Sequence, residues 1–182
     1  MNTALLIVDI QNDYFPGGAM ELVGSEEAGR AAGRLLQAFR SKGWPVVHVQ
    51  HIATRPGATF FLPGTRGAGI HDCVAPEQGE SMVQKHFPNS FRETPLLESL
   101  RERRIGRLVI AGMMTHMCID TTTRAAADLG FECLLAHDGC ATRDLSFGGQ
   151  AVAAQVVHTA FLAALNGAFA KVQSADELCA GL

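Results

Sequence analysis

The sequence predicts a three-layer α/β/α fold with a mostly parallel, Rossmann-like sheet of about six strands. Two patterns along its 182 residues carry this. Short apolar runs recur without polar alternation, as strands buried on both faces require. Between them lie stretches of helical periodicity, and such alternation implies a parallel sheet covered on both sides. No repeat, low-complexity tract or linker-like charge run interrupts the chain, so residues 1–182 read as one domain.

Residues 4–8, ALLIV, form the first buried strand. Ser25 is a candidate cap for the following helix, Glu26 and Glu27 suit its first turn, and Gly43 ends it. Ala28, Ala31, Ala32, Leu35, Leu36 and Phe39 fall on one face of that helix. Residues 46–49 are the second strand. Thr94 and Pro95 suit the cap and first position of a helix reaching about Arg104. Residues 108–111 are a strand, and Thr115 is a candidate cap for a helix ending near Gly130. Leu134 and Leu135 mark a further strand, residues 146–165 an Ala-rich helix, and residues 168–172 the last strand. Residues 53–80 break the alternation, with five Gly and three Pro. A loop of this length closes a pocket or forms a subunit contact. Its Phe60 and Phe61 suit either, with the interface favoured.

The hydrophobic fraction of 47% and charged fraction of 18% fit a compact domain. A net charge of -3 leaves no basic surplus for nucleic acid or an acidic membrane. No apolar run is long enough to span a bilayer. The first residues lack a basic segment and meet Asp9, so they read as a strand and not a signal peptide. The five cysteines (Cys73, Cys118, Cys133, Cys140 and Cys179) are widely spaced and none forms a CxxC pair. That argues against a disulfide framework or zinc ribbon and for a cytoplasmic setting.

In open parallel sheets, ligands bind beyond the carboxyl ends of the strands. Asp9 follows the first strand, Lys85 follows the apolar pair Met82-Val83, and Cys118 follows the strand ending at Gly112. If Thr115 is the cap, Cys118 lies in a first helical turn, where the dipole lowers a thiol pKa and free N–H groups can hold an oxyanion. Each residue has a plainer reading: Cys118 a core cysteine, Asp9 a loop cap, Lys85 a solvated surface lysine. Together they make a plausible nucleophile, base and electrostatic partner.

Three segments resemble the isochorismatase-like cysteine hydrolases, which include nicotinamidases and N-carbamoylsarcosine amidases. They are LLIVDIQNDYF at 5–15, KHFPNSF at 85–91 and VIAGMMTHMCID at 109–120. The stretch AADLGFECLLAHDGCATRD at 126–144 and the helix carrying His158 also fit, so the likeness covers nearly the whole chain. It implies that Asp9 is the general base, Lys85 the charged partner and Cys118 the nucleophile. It also implies a non-proline cis peptide at Met113–Met114, with the Met114 and Cys118 amides forming the oxyanion hole. Gln11 matches a position that orients the base. The expected chemistry is cleavage of an amide, ureide or carbamoyl C–N bond through a thioester. The expected ligand is a small molecule, and a homo-oligomer is anticipated.

Family nicotinamidases bind a metal through an Asp-x-His pair after the second strand. Here Gln50-His51-Ile52-Ala53 stands in its place, with His51 for the Asp and Ala53 for the His. A cluster of His48, His51 and His71 is disfavoured, because residues three apart on a strand face opposite ways. No metal or other cofactor is therefore expected. Gln11, Phe15, Phe87, Phe91 and His116 are candidate substrate contacts, and His86 a weaker one. Met113, Met114 and Met117 suit a pocket or plain core packing. Two alternatives stay open. One is vinyl-ether hydrolysis, as in true isochorismatases, with Arg92 or Arg143 holding carboxylates. The other is a non-enzymatic binding or redox-responsive oligomer.

Overall fold

The computed structural model describes residues 2–182. In chain order the elements are β1 (Asn2–Val8), α1 (Ser25–Ser41), β2 (Val46–His51), β3 (Ser81–Lys85), α2 (Leu96–Glu102) and β4 (Ile105–Met113). Then come a π turn (Thr115–Ile119), α3 (Asp120–Asp128), β5 (Glu132–Ala141), β6 (Leu145–Phe147), β7 (Gln150–Val152), α4 (Ala154–Leu165), β8 (Lys171–Gln173) and α5 (Ala175–Gly181). Six strands form one parallel sheet in the order β3-β2-β1-β4-β5-β8. The three-layer α/β/α architecture expected from the alternation is present.

Strand alternation divides the core. Leu5 and Ile7 pack with α1 and α5, whereas Ala4, Leu6 and Val8 pack with α2, α3 and α4. A strand covered on both faces needs an unbroken apolar run, and β1 is buried from Thr3 to Val8. The chain builds outward from β1 through β2 to β3, then crosses back to place β4 on the other side of β1. That reversal opens a crevice at the carboxyl ends of β1 and β4.

Several element boundaries differ from expectation for identifiable reasons. Residues 146–165 are not one helix: β6 and β7 form a hairpin, and α4 starts only at Ala154. Gly148 and Gly149 have φ of +57° and +79°, as a tight two-residue hairpin loop requires. Ser25 is the first helical residue, and Gly24 at φ +75° takes the cap position without a side-chain bond. Pro95 caps α2, which stops at Glu102. Helix α5 was not anticipated, although Ser174 and Glu177 form a full capping box with legible S-x-x-E spacing. Within 53–80 only Asp72–Val74 forms a short 3-10 turn. Phe61 is buried against Tyr14 with ring centroids 4.6 Å apart, and its N–H donates to Asp13 Oδ2 at 2.6 Å. Its ring therefore packs within its own chain. No helix among the described residues is long and apolar enough to cross a membrane.

Glu80 ties the end of this loop to the sheet. Its carboxylate accepts from Arg40 Nε at 2.7 Å and Nη2 at 2.8 Å, from the Glu77 N–H at 2.8 Å, and pairs with His48 Nε2 at 2.8 Å. The Arg40 bonds lead in holding its pKa down to about 2. A depressed carboxylate stabilises the fold above its unfolded pKa and loses that contribution as the pH falls through the folded value. Glu80→Gln is expected to cost on the order of 2–3 kcal/mol at pH 7 in urea unfolding. The gap from wild type should narrow as the pH is lowered from about 4.5 towards about 2.

Candidate active site

The site is assembled from four strand ends. Just past β1, Asp9 adopts φ +53°, a left-handed conformation that Asp tolerates better than most residues. Lys85 is the last residue of β3, and His51, the last of β2, is its register partner. Gly112 near the end of β4 pairs with Val8 at φ +144°, and a Cβ there would run into the Val8 carbonyl oxygen. Glycine thus lets the ends of β1 and β4 close together. The Met113–Met114 peptide is cis, and the π turn that follows carries Cys118. Its i+5 bond runs from the Ile119 N–H to Met114 O at 3.2 Å.

Thr115 does not cap this turn, as the sequence suggested. Met114 holds the cap position, and the Thr115 hydroxyl lies 3.3 Å from the Ala141 carbonyl oxygen and 2.9 Å from His158 Nδ1. The turn is thereby pinned to β5 and α4.

Lys85 is fully buried. Its Nζ lies 2.6 Å from Asp9 Oδ2, 3.2 Å from Cys118 Sγ, 3.1 Å from the Phe87 carbonyl oxygen and 3.2 Å from His51 Nδ1. An ammonium has three N–H bonds. They serve Cys118, Phe87 and His51. The fourth contact, to Asp9 Oδ2, is the shortest and is an ion pair. Gln11, also fully buried, grips the backbone of His51: Nε2 donates to His51 O at 2.9 Å and Oε1 accepts from the His51 N–H at 2.7 Å. Its Nε2 also donates to Ala68 O at 2.7 Å. This side chain continues the β1–β2 pairing past the end of the strand.

Burial pulls the Lys85 pKa down, but the Asp9 charge and the Cys118 sulfur outweigh it and raise it overall. Burial, then the charge of Asp9, pushes the Cys118 thiol well up, and Lys85 only partly opposes them. This corrects the expected lowering of the thiol pKa, which counted the helix terminus and not the desolvation of a residue 5% exposed. Carboxylate, ammonium and neutral thiol sum to zero charge. Ionising the thiol as well would bury an unbalanced anion. Burial, aided by Lys85, His86 and Arg55 and opposed by Asp9, lowers His51 to about 4.

Asp9, His51 and Cys118 offer ligand atoms within 4.8 Å of one another. The Lys85 ammonium stands among them, so the cation of this site is the lysine's own. Ala53 offers no donor where the family's metal pair has its second ligand. His48 faces Glu80, and His71 stacks on Phe15 with centroids 3.6 Å apart. The residues present therefore do not fit a resident metal.

The expected substrate contacts separate. Gln11 and Phe87 join the constellation, Phe87 through its carbonyl while its ring lies under Arg92 at 3.6 Å. Phe15 packs on His71 against α1, and Phe91 stacks on Phe131 in the core. His116 Nδ1 sits 2.6 Å from Thr142 Oγ1, with the ring edge-on to Phe161. Tyr14 was missed. It is buried against Phe60 and Phe61, and burial first, then the charges of Cys118 and Asp9, raises its phenol pKa. A cavity of about 590 Å³ between α1, β5 and α4 includes none of Asp9, Lys85 or Cys118. The chemistry lies where the titratable groups converge.

The three-layer α/β/α fold is shared with a family of hydrolases. A model of the isochorismatase domain matches residues 3–177. The chain is 48% identical over 176 residues to the uncharacterized isochorismatase family protein YddQ of Bacillus subtilis, covering 97% of this chain and 98% of that one. The crystal structure of an isochorismatase hydrolase from Oleispira antarctica matches with TM-score 0.95 at 55% identity, covering 99% of this chain and 97% of that one. The nicotinamidase of Escherichia coli is 27% identical over 174 residues, 75% of this chain and 82% of that one. The chain belongs to the isochorismatase family.

The raised thiol pKa has a direct chemical readout. Iodoacetamide should label Cys118 of the ligand-free protein more slowly than free cysteine at pH 7.5, and the rate should climb with pH beyond the ordinary value of about 8.5. Peptide mass spectrometry separates Cys118 from the other thiols, and labelling at neutral pH as fast as free cysteine would contradict the shift. Lys85→Met strands a buried carboxylate, and should cost on the order of 3–5 kcal/mol in urea unfolding at pH 7.

Proposed function

We propose that this protein is a metal-independent cysteine hydrolase that cleaves an amide, ureide or carbamoyl C–N bond of a small molecule. The observation that carries this is the buried Lys85 ammonium, in contact with both the Asp9 carboxylate and the Cys118 sulfur. Hydrolysis of a vinyl ether has no need of a thiol held between a base and a cation. The Escherichia coli nicotinamidase, by its name an amide hydrolase, supports the reaction class. The altered positions His51 and Ala53 separate this chain from the metal pair of such enzymes.

The steps are as follows. Asp9 takes the Cys118 proton as the sulfur attacks the substrate carbonyl carbon, and the carbonyl electron pair moves to oxygen. The Met114 and Cys118 amides, at the cap and fourth residue of the turn, hold that oxyanion. Lys85 balances the charge on sulfur. Collapse breaks the C–N bond, and the nitrogen leaves with the proton from Asp9. Water then adds to the thioester, gives its proton to Asp9, and expels the sulfur, which recovers that proton.

A screen of small amides, ureides and carbamoyl compounds for ammonia release tests this. Cys118→Ala and Asp9→Asn should each lower kcat by about a thousandfold or more, with thermal unfolding of Cys118→Ala close to wild type. Full turnover by Cys118→Ala would overturn the proposal.

A further inference from the structure

The constellation holds an imidazole for which the proposed chemistry has no step. His51 closes β2, with its backbone gripped on both sides by Gln11 and its ring tilted against Phe61 at 6.0 Å. Its Nδ1 lies 3.2 Å from Lys85 Nζ. An ammonium only donates, so Nδ1 is the acceptor and the ring hydrogen resides on Nε2. The groups acting on this imidazole are Asp9, Lys85, His86 and Arg55, and with burial they leave it neutral.

We infer that His51 is a positioning residue: by accepting one Lys85 N–H, it fixes the rotation of the ammonium so that another N–H faces Cys118. This rests on the reading of Asp9 as base and Cys118 as nucleophile. Three hydrogens face four acceptors, and the strongest of these is the carboxylate at 2.6 Å. A freely turning ammonium would favour the carboxylate and leave the sulfur, a weak acceptor, without an N–H. The Phe87 carbonyl and His51 Nδ1 take two hydrogens, and the third goes to sulfur. Asp9 is held by the charge of the ammonium beside it. The Gln11 clamp has a purpose in this arrangement, because it fixes the backbone from which the imidazole extends. His48, three residues earlier on the same strand, has no such role, since it faces Glu80.

Two measurements test this, and one needs no substrate. In ¹⁵N NMR of the ligand-free protein, His51 should show a bare Nδ1 and a protonated Nε2 from about pH 5.5 to about pH 8. Lys85→Met should release it to a tautomer mixture. On a substrate found by the screen, His51→Leu should lower kcat on the order of tenfold or more and change KM by less than about twofold. His51→Gln, whose amide oxygen can accept the same N–H, should recover most of that loss. An Nδ1-protonated or mixed tautomer in wild type would overturn the inference, as would a His51→Leu enzyme with wild-type kcat. Full turnover by Cys118→Ala would instead sink the proposed reaction while leaving the tautomer result standing.

Discussion

The site depends on one ion pair, Asp9 with Lys85, both fully buried where the sheet reverses direction. Taking two charges out of water costs several kcal/mol per ion, and their attraction offsets this only when the remaining bonding capacity is met. On the lysine it is met, by a thiol, a carbonyl and an imidazole. A pair kept for stability alone could be replaced by apolar side chains of similar volume at little loss. Many local features follow from holding this pair: the left-handed turn at Asp9, the ending of β3 at Lys85, and the Gln11 side chain prolonging a strand pairing that the backbone has left.

The state of Cys118 illustrates how magnitudes decide between effects. A helix terminus contributes about 0.3–1 kcal/mol in exposed settings and up to about 2 kcal/mol when partly buried. Full burial can shift an ionisable group by about 3–5 pKa units, each worth about 1.4 kcal/mol. At a residue so little exposed, burial wins even against a neighbouring ammonium. The consequence is a sulfur that rests as a thiol; in the proposed reaction it becomes reactive only as its proton passes to Asp9. A resting thiol is also less open to oxidation than a thiolate.

Much of this arrangement was legible in the sequence. Parallel strands buried on both faces write themselves as continuous apolar runs, and the residues just beyond those runs are the ones that can reach a shared crevice. That logic singled out Asp9, Lys85 and Cys118 as neighbours. It did not find His51, because strand alternation gives a face but not the register of β2 with β3 that sets His51 beside Lys85. Phe15 and Phe91 sit next to site motifs in the chain, yet an apolar ring suits the core equally well, and the core is where they lie. The hairpin at 145–152 was masked by the Ala-rich run that follows it. Gly148-Gly149 was a legible turn signal, outweighed by helical composition downstream.

The cation sets the resting state of the whole site. A divalent metal among Asp9, His51 and Cys118 would bring two charges and ionise a coordinating thiol outright. The tethered ammonium brings one, which the Asp9 carboxylate already balances, so nothing remains to hold a thiolate until a substrate oxyanion and its amide donors share the charge. The same geometry that could gather a metal's ligands therefore serves here to keep the sulfur protonated. This links the lysine at the centre, the raised thiol pKa and the imidazole beside the ammonium. Each is a consequence of filling that position with a single, fixed positive charge.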